Sequence, residues 1–147
     1  MKCAETNVIE QEVQAVPSGG VLQMPAGLLG FEHVKHYVLL GSREEAPFLW
    51  LQMADDPNLS FLVVEPSYVL DNYQPEVSEA EVEMIGLKSA DDAWVLNIVT
   101  LHRDGHATVN LKGPILINRR TLAARQVVPL NAAEYDLQHP LPVAAPQ

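Results

Sequence analysis

The sequence predicts a mainly β fold, a small antiparallel and barrel-like single domain with one short helix. Three observations predict it. Short apolar runs recur along the chain, turn residues separate them at regular intervals, and one segment alone has helical apolar spacing. A length of 147 residues suits one domain with a sizeable core. With no internal repeat or linker, residues 1–147 are expected to form one domain, ordered from about residue 8 to residue 141.

The first half of the chain contains four candidate strands, at residues 21–24, 37–40, 48–53 and 61–64. Gly27 and Gly30 lie between the first two and predict a tight loop. The run Asp55-Asp56-Pro57-Asn58 is a strong turn signal, because Asp and Asn bond backbone amides and Pro fixes its own φ. The strands on either side of this turn are therefore expected to pair antiparallel.

The segment SEAEVEMIG, residues 78–86, is the one helical pattern. Ser78 can cap the first turn, and acidic residues near the N-terminus suit the helix dipole. Gly86 is a suitable C-terminal stop. We expect a helix of two to three turns.

The second half begins with the clearest strand, residues 94–101, which is rich in β-branched side chains. Asp104-Gly105 predicts a hairpin turn, and the chain returns over residues 107–110. Further strands are predicted at residues 115–117 and 125–130. Gly113-Pro114 interrupts the apolar pattern, since this pair is poorly tolerated in a central strand. The proline-rich tail, residues 136–147, is expected to be poorly ordered.

The charge is strongly acidic, with 9 Lys and Arg against 19 Asp and Glu and a net charge of -10. Such a surface repels phosphate backbones, so we expect no direct nucleic-acid binding and favour a basic protein partner. An acidic run surrounds the predicted helix and is either a solvated face or a docking surface for that partner. Its members are Glu76, Glu79, Glu81 and Glu83.

The location expected from sequence is the cytoplasm. The N-terminus lacks the apolar segment of a signal peptide, and no run reaches the roughly 20 apolar residues of a membrane span. Membrane association is therefore not expected. Cys3 is the single cysteine, which excludes an internal disulfide and a cysteine-based metal cluster.

Catalytic motifs are not evident. His102-Arg103-Asp104 matches part of a kinase loop but lacks every accompanying element. The histidine pairs at 33 and 36 and at 102 and 106 have no third ligand placed by the sequence, so neither a metal nor another cofactor is expected. Two alternatives stay open: a small hydrolase using Asp55 or Asp56 with a histidine, and a ligand-binding β-barrel module with a roomy apolar cavity.

Four segments, read in order, resemble the FliW flagellar assembly factors. Residues 27–32, GLLGFE, are similar to the family's G-[LI]-P-G-F-E, and residues 51–61, LQMADDPNLSF, to L-Q-x-x-D-D-P-x-L-x-F. Residues 110–118, NLKGPILIN, are similar to N-L-K-A-P-I-V-I-N, and residues 126–128, QVV, stand in the position of the last strand. The resemblance spans roughly residues 8–141. Leu29, Met53 and Gly113 depart from the family's usual Pro, Ser and Ala.

The resemblance implies a small β-barrel-like fold without enzymatic activity and two protein partners in the cytoplasm. One is flagellin, held before export. The other is CsrA, a basic RNA-binding translational repressor, which such a factor binds when flagellin is scarce and releases when flagellin accumulates. Partner-binding candidates are the acidic run and the polar motif residues Gln52, Asp55, Asp56, Asn110, Lys112 and Asn118.

The segment Asn110 to Asn118 has two interpretations. A strand broken by Gly113-Pro114 and flanked by amides suits recognition at an exposed sheet edge. Alternatively, the two asparagines only satisfy backbone groups at the bend.

Overall fold

The computed structural model describes residues 20–141, and these form nine β-strands and one α-helix. The strands are β1 (Leu22–Gln23), β2 (His36–Gly41), β3 (Leu49–Met53), β4 (Asp56–Val64), β5 (Ala93–Leu101), β6 (Ala107–Val109), β7 (Ile115–Asn118), β8 (Ala124–Gln126) and β9 (His139–Pro140). The helix is α1 (Glu79–Met84), and short 3-10 turns lie at Pro66–Tyr68, Ala90–Asp92 and Ala132–Glu134. Predictions on residues 1–19 and 142–147 lie outside the described residues.

The strands form an antiparallel sheet that branches at β5. Strands β1 to β5 pair in chain order. The edge of β5 opposite β4 carries two branches. The C-terminal half of β5 pairs with β6, and β6 pairs with β9. The N-terminal half of β5 pairs with β7, and β7 pairs with β8. An isolated parallel bridge joins Gln23 to Ala123. The mainly antiparallel β prediction is confirmed. The term barrel-like is loose, because the sheet is not closed. The first strand and the segment before β8 share one isolated bridge and no continuous row of paired residues.

The alternation of β5 places apolar side chains on both faces of the sheet, as expected for a strand covered on both sides. Trp94 and Leu96 join the largest cluster, with Tyr37, Leu51 and Ile117. On the opposite face, two smaller clusters form. One contains Phe48, Leu62, Val64, Val99, Ala107, Val109 and Leu111, and the other contains Ile85, Leu116 and Val127. Both faces of the sheet are therefore covered by packed apolar side chains.

The predicted helix is confirmed, with its cap, but its six residues make fewer than two turns and not the expected two to three. The Ser78 hydroxyl accepts a hydrogen bond from the Glu81 amide at 3.3 Å. Gly86 follows the helix with φ of 69°, a left-handed conformation that glycine adopts without strain. No residue within α1 is buried. The helix is attached to the sheet through Ile85, which packs in the cluster with Leu116 and Val127, and through an ion pair between Glu81 and Arg125.

The structure corrects two local predictions. The turn between β3 and β4 lies at residues 54–55, and β4 already begins at Asp56, which pairs with Met53. A bulge at Gln52–Met53 allows the shorter turn. The second correction concerns the tail. Residues 139–140 form β9 on the edge of β6, so the first part of the segment predicted to be poorly ordered belongs to the sheet. Its proline sits on an edge strand, where a missing N–H is tolerated.

The last predicted strand is also shorter than expected, ending at Gln126. Among residues 20–141, no helix is long and apolar enough to cross a membrane.

Candidate protein-binding site

The loop at residues 27–32 holds a fixed shape. Gly27 has φ of 67°, and a Cβ there would lie 2.6 Å from the Glu32 Cα and the Phe31 carbonyl oxygen, so no other residue fits. The Glu32 carboxylate accepts a hydrogen bond from the Gly30 amide at 3.1 Å. This bond lowers the pKa of Glu32 below its ordinary value. The Lys35 ammonium donates to the Pro25 carbonyl at 2.9 Å and closes the base of the loop.

The rigid loop presents apolar side chains to solvent. Leu28 is buried and anchors the loop, whereas Leu29 is 62% exposed and Phe31 is 36% exposed. The Phe31 ring contacts Phe61 of β4 edge to face, with 5.2 Å between ring centroids. Leu59 lies two residues before Phe61 in β4 and is 47% exposed. We name Leu29, Phe31 and Leu59 the apolar motif surface.

Residues 110–114 form a bulge between β6 and β7. Val109 at the end of β6 pairs with Val99, and Ile115 at the start of β7 pairs with Leu96. The five residues between them, 110–114, therefore stand opposite only two residues of β5, Asn97 and Ile98. Inside the bulge, the Asn110 side chain accepts from the Lys112 amide at 2.9 Å. The Gly113-Pro114 break in the apolar pattern is therefore the site of this extra backbone.

Gln126 links the bulge to the loop at 27–32. Its side-chain amide donates to the Gly113 carbonyl at 2.9 Å, and its oxygen accepts from the Leu29 backbone amide at 2.9 Å. Both functional groups of one half-buried side chain are thus used, and both bonds go to backbone in motif segments. The first motif segment is fixed to the second through Phe31 and Phe61, and to the third and fourth through Gln126.

The polar motif residues are spread over three places. Asp55 is exposed in the β3–β4 turn, while Gln52 and Asp56 are half-buried on the strands beside it. Asn110 and Lys112 lie together in the bulge, where the Lys112 ammonium donates to the Ala132 carbonyl at 2.9 Å.

Asn118 is part of the interior. It is 2% exposed, its amide donates to the Ile85 carbonyl at 2.8 Å, and its oxygen accepts from the Arg120 amide at 2.9 Å. Strand β7 pairs with β5 on one side and β8 on the other, so the prediction of an exposed edge here is wrong. The cause is β8, whose residues return after a tight turn and cover the edge.

The acidic run is divided by the fold. Glu79 and Glu83 on α1 and Glu76 before it are exposed. Glu81 is half-buried, with its carboxylate paired to the Arg125 guanidinium. Three of the four glutamates are therefore accessible to a partner, and the fourth attaches the helix to the sheet.

Comparison with known proteins gives a consistent family. The model of the family described as "FliW protein" matches residues 4–141. The chain belongs to the FliW family. It is 36% identical over 123 residues to the flagellar assembly factor FliW of Natranaerobius thermophilus, covering 82% of this chain and 81% of that one. The FliW of Leptospira biflexa is 37% identical over 115 residues, covering 77% and 75%.

A solved structure agrees with the sequence relatives. The crystal structure of a flagellar assembly factor FliW superposes with a TM-score of 0.74 and 28% sequence identity, covering 82% of this chain and 84% of that chain. The resemblance seen in the motif segments is thus confirmed, and this FliW-family protein is a flagellar assembly factor.

The two alternatives from the sequence lack support in the geometry. Within residues 20–141, neither Asp55 nor Asp56 forms a hydrogen bond or ion pair with a histidine, and Asp56 instead accepts from the Asn58 amide at 3.2 Å. The same part of the chain contains no group of three or more His, Cys, Asp or Glu residues placed to hold a metal ion. The largest core cluster fills the space where a barrel-type ligand module would have its apolar cavity.

Sequence reasoning missed Gln126 as a junction and three residues near the C-terminus, Asn131, Glu134 and Asp136. Gln126 was noted only as part of a strand, because the partners of a side chain 97 positions away from Leu29 are not visible locally. The other three lie in or next to the tail. The prolines of that tail predicted poor order, and this signal hid its polar side chains from the analysis of the sequence.

Proposed function

We propose that this FliW-family protein binds flagellin before export and antagonises the translational repressor CsrA, coupling flagellin synthesis to flagellar assembly. When flagellin is scarce, the protein binds CsrA and translation of flagellin proceeds. When flagellin accumulates, it occupies the protein, and the released CsrA represses synthesis. The protein acts in the cytoplasm, catalyses no reaction, and binds neither membrane nor nucleic acid by itself.

The observation that carries the proposal is the apolar motif surface. Leu29 and Phe31 are exposed on a loop whose conformation is fixed by Gly27, Lys35 and Gln126. Exposed apolar side chains on a rigid support are typical of protein interaction sites, because their burial on binding costs little conformational entropy. We place flagellin on this surface.

The charge of the chain supports a basic second partner. A net charge of -10 and the exposed glutamates on and before α1 would attract a basic protein such as CsrA. The acidic face lies on other segments than the apolar motif surface, so the two partners are proposed to contact different residues.

The test uses purified flagellin and CsrA from the same bacterium. Leu29→Asp places a charge on the apolar motif surface and is expected to weaken flagellin binding by about tenfold or more, measured by isothermal titration calorimetry. Leu101→Asp is the matched control, because Leu101 is 51% exposed and lies at the end of β5, outside the motif segments. Failure of the wild-type protein to bind either partner would contradict the proposal.

An RNA gel shift completes the test. The protein alone should produce no shift of flagellin leader RNA, and it should release that RNA from CsrA. A salt-sensitive complex between the RNA and this protein alone would contradict the assignment.

A further inference from the structure

A surface cavity of about 430 Å³ lies between the segment before α1 and the C-terminal residues. The residues that line it include the acidic Glu76, Glu134 and Asp136 and the apolar or aromatic Leu111 and Tyr135. The volume lies in the range of about 300–1,000 Å³ that is usual for binding pockets. Such pockets are mostly apolar, whereas this one has three acidic side chains.

The cavity wall is held in place by hydrogen bonds. The Asn131 side chain accepts from the Glu76 amide at 2.8 Å and donates to the Gln74 carbonyl at 3.1 Å. The Tyr135 hydroxyl accepts from the Gln74 amide at 3.0 Å. The Leu111 amide donates to the Asp136 carbonyl at 3.0 Å. The chain's own hydrogen bonds thus fix the shape of the wall, so binding would not require its ordering.

The acidic groups of the wall lack cationic partners. Within residues 20–141, the carboxylates of Glu76 and Glu134 form neither a hydrogen bond nor an ion pair. Asp136 lies 3.9 Å from His139, a long contact with a side chain that is charged only when protonated. The nearby Lys112 ammonium is bonded to the Ala132 carbonyl. Lys112 keeps its positive charge, so three carboxylates stand against one ammonium, and the excess negative charge around a concave site produces a negative potential within it.

We propose that this cavity receives an arginine side chain of the basic protein partner, an inference that rests on the proposed function. A guanidinium is planar, always charged and able to donate to two carboxylates at once, and its aliphatic stem suits apolar surface. Here the carboxylates of Glu134 and Asp136 accept the hydrogen bonds, Glu76 adds to the negative charge, and Tyr135 contacts the stem and the cation. A metal ion fits less well, because no suitable ligand group is arranged in the described part of the chain.

The first experiment uses N-acetyl-arginine amide as the probe, without any protein partner. Titration followed by ¹H–¹⁵N NMR should shift the backbone amides of Leu111, Asn131 and Tyr135. N-acetyl-citrulline amide has nearly the same shape without the charge and is expected to bind about tenfold more weakly or not at all. Equal shifts with both probes, or shifts spread over all acidic residues, would overturn the inference.

The second experiment changes the wall. The double variant Glu134→Gln, Asp136→Asn should reduce the affinity for the arginine probe about tenfold. The control variant Glu44→Gln, Asp91→Asn alters the net charge equally at exposed residues that do not line the cavity and should bind the probe as wild type does. Equal losses in the two variants would mean that only overall charge matters and would overturn the inference.

The third experiment separates this inference from the proposed function. CsrA is titrated into the wild type and both double variants. Weaker binding to the cavity variant alone supports the inference, and equal binding to all three overturns it while leaving the proposed function intact. If CsrA binds none of them, the proposed partner is wrong, and the arginine probe still decides whether the cavity accepts a guanidinium.

Discussion

At the scale of single residues, hydrogen bonds distinguish polar side chains that belong to the interior from polar side chains that a partner can reach. Asn118 and Lys112 occupy the same motif segment, yet Asn118 is 2% exposed and uses both ends of its amide internally, whereas Lys112 is half-buried and bonds through its ammonium to one carbonyl. The interpretation that the asparagines satisfy local backbone groups agrees with the contacts of Asn118. Lys112 stays a predicted partner contact.

Asn118→Ala is expected to destabilise the protein by about 1–3 kcal/mol, because the Ile85 carbonyl and the Arg120 amide lose their partner in a buried place. Urea unfolding measures the loss. Lys112→Ala provides the comparison: it should leave the unfolding midpoint nearly unchanged and weaken partner binding by about 1 kcal/mol. Equal unfolding midpoints for wild type and Asn118→Ala would contradict the structural role.

Gly113→Ala should disturb the junction at Gln126. An added Cβ would lie 2.9 Å from the Gln126 side-chain nitrogen and 3.2 Å from that of Asn110, so the Gln126 side chain must move. Its bond to the Leu29 amide is then weakened. Hydrogen exchange at that amide is expected to accelerate by about tenfold, a factor that corresponds to the free energy of one hydrogen bond. Gln126→Ala should produce the same acceleration.

The combined variant tests the mechanism. With Gln126 already replaced by Ala, Gly113→Ala should add little, because the clash and the bond that it breaks are gone. Additive effects would mean that Gly113 acts through the bulge backbone and not through Gln126.

At the scale of elements, α1 depends on its neighbours. It has six residues, too few to be stable alone, and none of them is buried. Its attachment consists of Ile85 and Val77 at its ends and of the ion pair from Glu81 to Arg125, whose side chains are 22% and 31% exposed.

Glu81→Gln is therefore expected to lower the free energy of unfolding by about 1 kcal/mol, the upper end for ion pairs that retain some solvent contact. Glu79→Gln is the matched control on the same helix, because Glu79 shares the first turn and its dipole interaction with Glu81 but forms no ion pair within residues 20–141, so its effect should be smaller. Chemical denaturation of both variants measures the difference, and an equal effect would show that the ion pair does not hold the helix.

The elements that could be predicted from sequence are those with strong local patterns. Residues 94–101 are rich in β-branched side chains, and Ser78 caps a short segment with helical spacing, so β5 and α1 follow from neighbours in the chain. Strand β9 could not be predicted, because two residues including a proline form a strand only when β6 offers its edge. The same limit applies to the cavity, whose walls come from segments 55 and 61 positions apart.

The candidate site was predicted in part. The motif segments contact one another in the fold, but which of their side chains face outward depends on long-range pairing. Asn118 is buried because β8 covers β7, and Leu29 is exposed because Gly27 and Gln126 fix the loop around it. Neither relation has a local pattern.

At the scale of the whole molecule, the net charge of -10 predicts a kinetic effect. Exposed charges steer a basic partner during approach, and salt screens them over about 8 Å at physiological ionic strength. The association rate with CsrA should therefore fall as salt increases. The double variant Glu79→Lys, Glu83→Lys should slow association by about tenfold and flatten the salt dependence.

Stopped-flow kinetics checks this prediction. The matched control, Glu44→Lys with Asp91→Lys, changes the net charge equally at exposed sites that are not part of α1. If the control variant associates with CsrA as slowly as the helix variant does, steering depends on the total charge and not on the glutamates of α1. Flagellin binding should respond less than CsrA binding to either variant, because it is assigned to the apolar motif surface.

The bulge at residues 110–114 also decides where the chain tolerates extra length. Five residues stand opposite two, an excess of three, which is an odd number. Residues 107 and 109 therefore face the cluster that contains Phe48 and Leu62, whereas residues 115 and 117 face the largest cluster. One Gly inserted after Lys112 lengthens irregular backbone and leaves the pairing of Ile115 with Leu96 in place, so thermal melting should show only a small loss of stability. One Gly inserted after Ile115 shifts the rest of β7 by one residue, turns Ile117 to the wrong face and should lower the melting temperature far more.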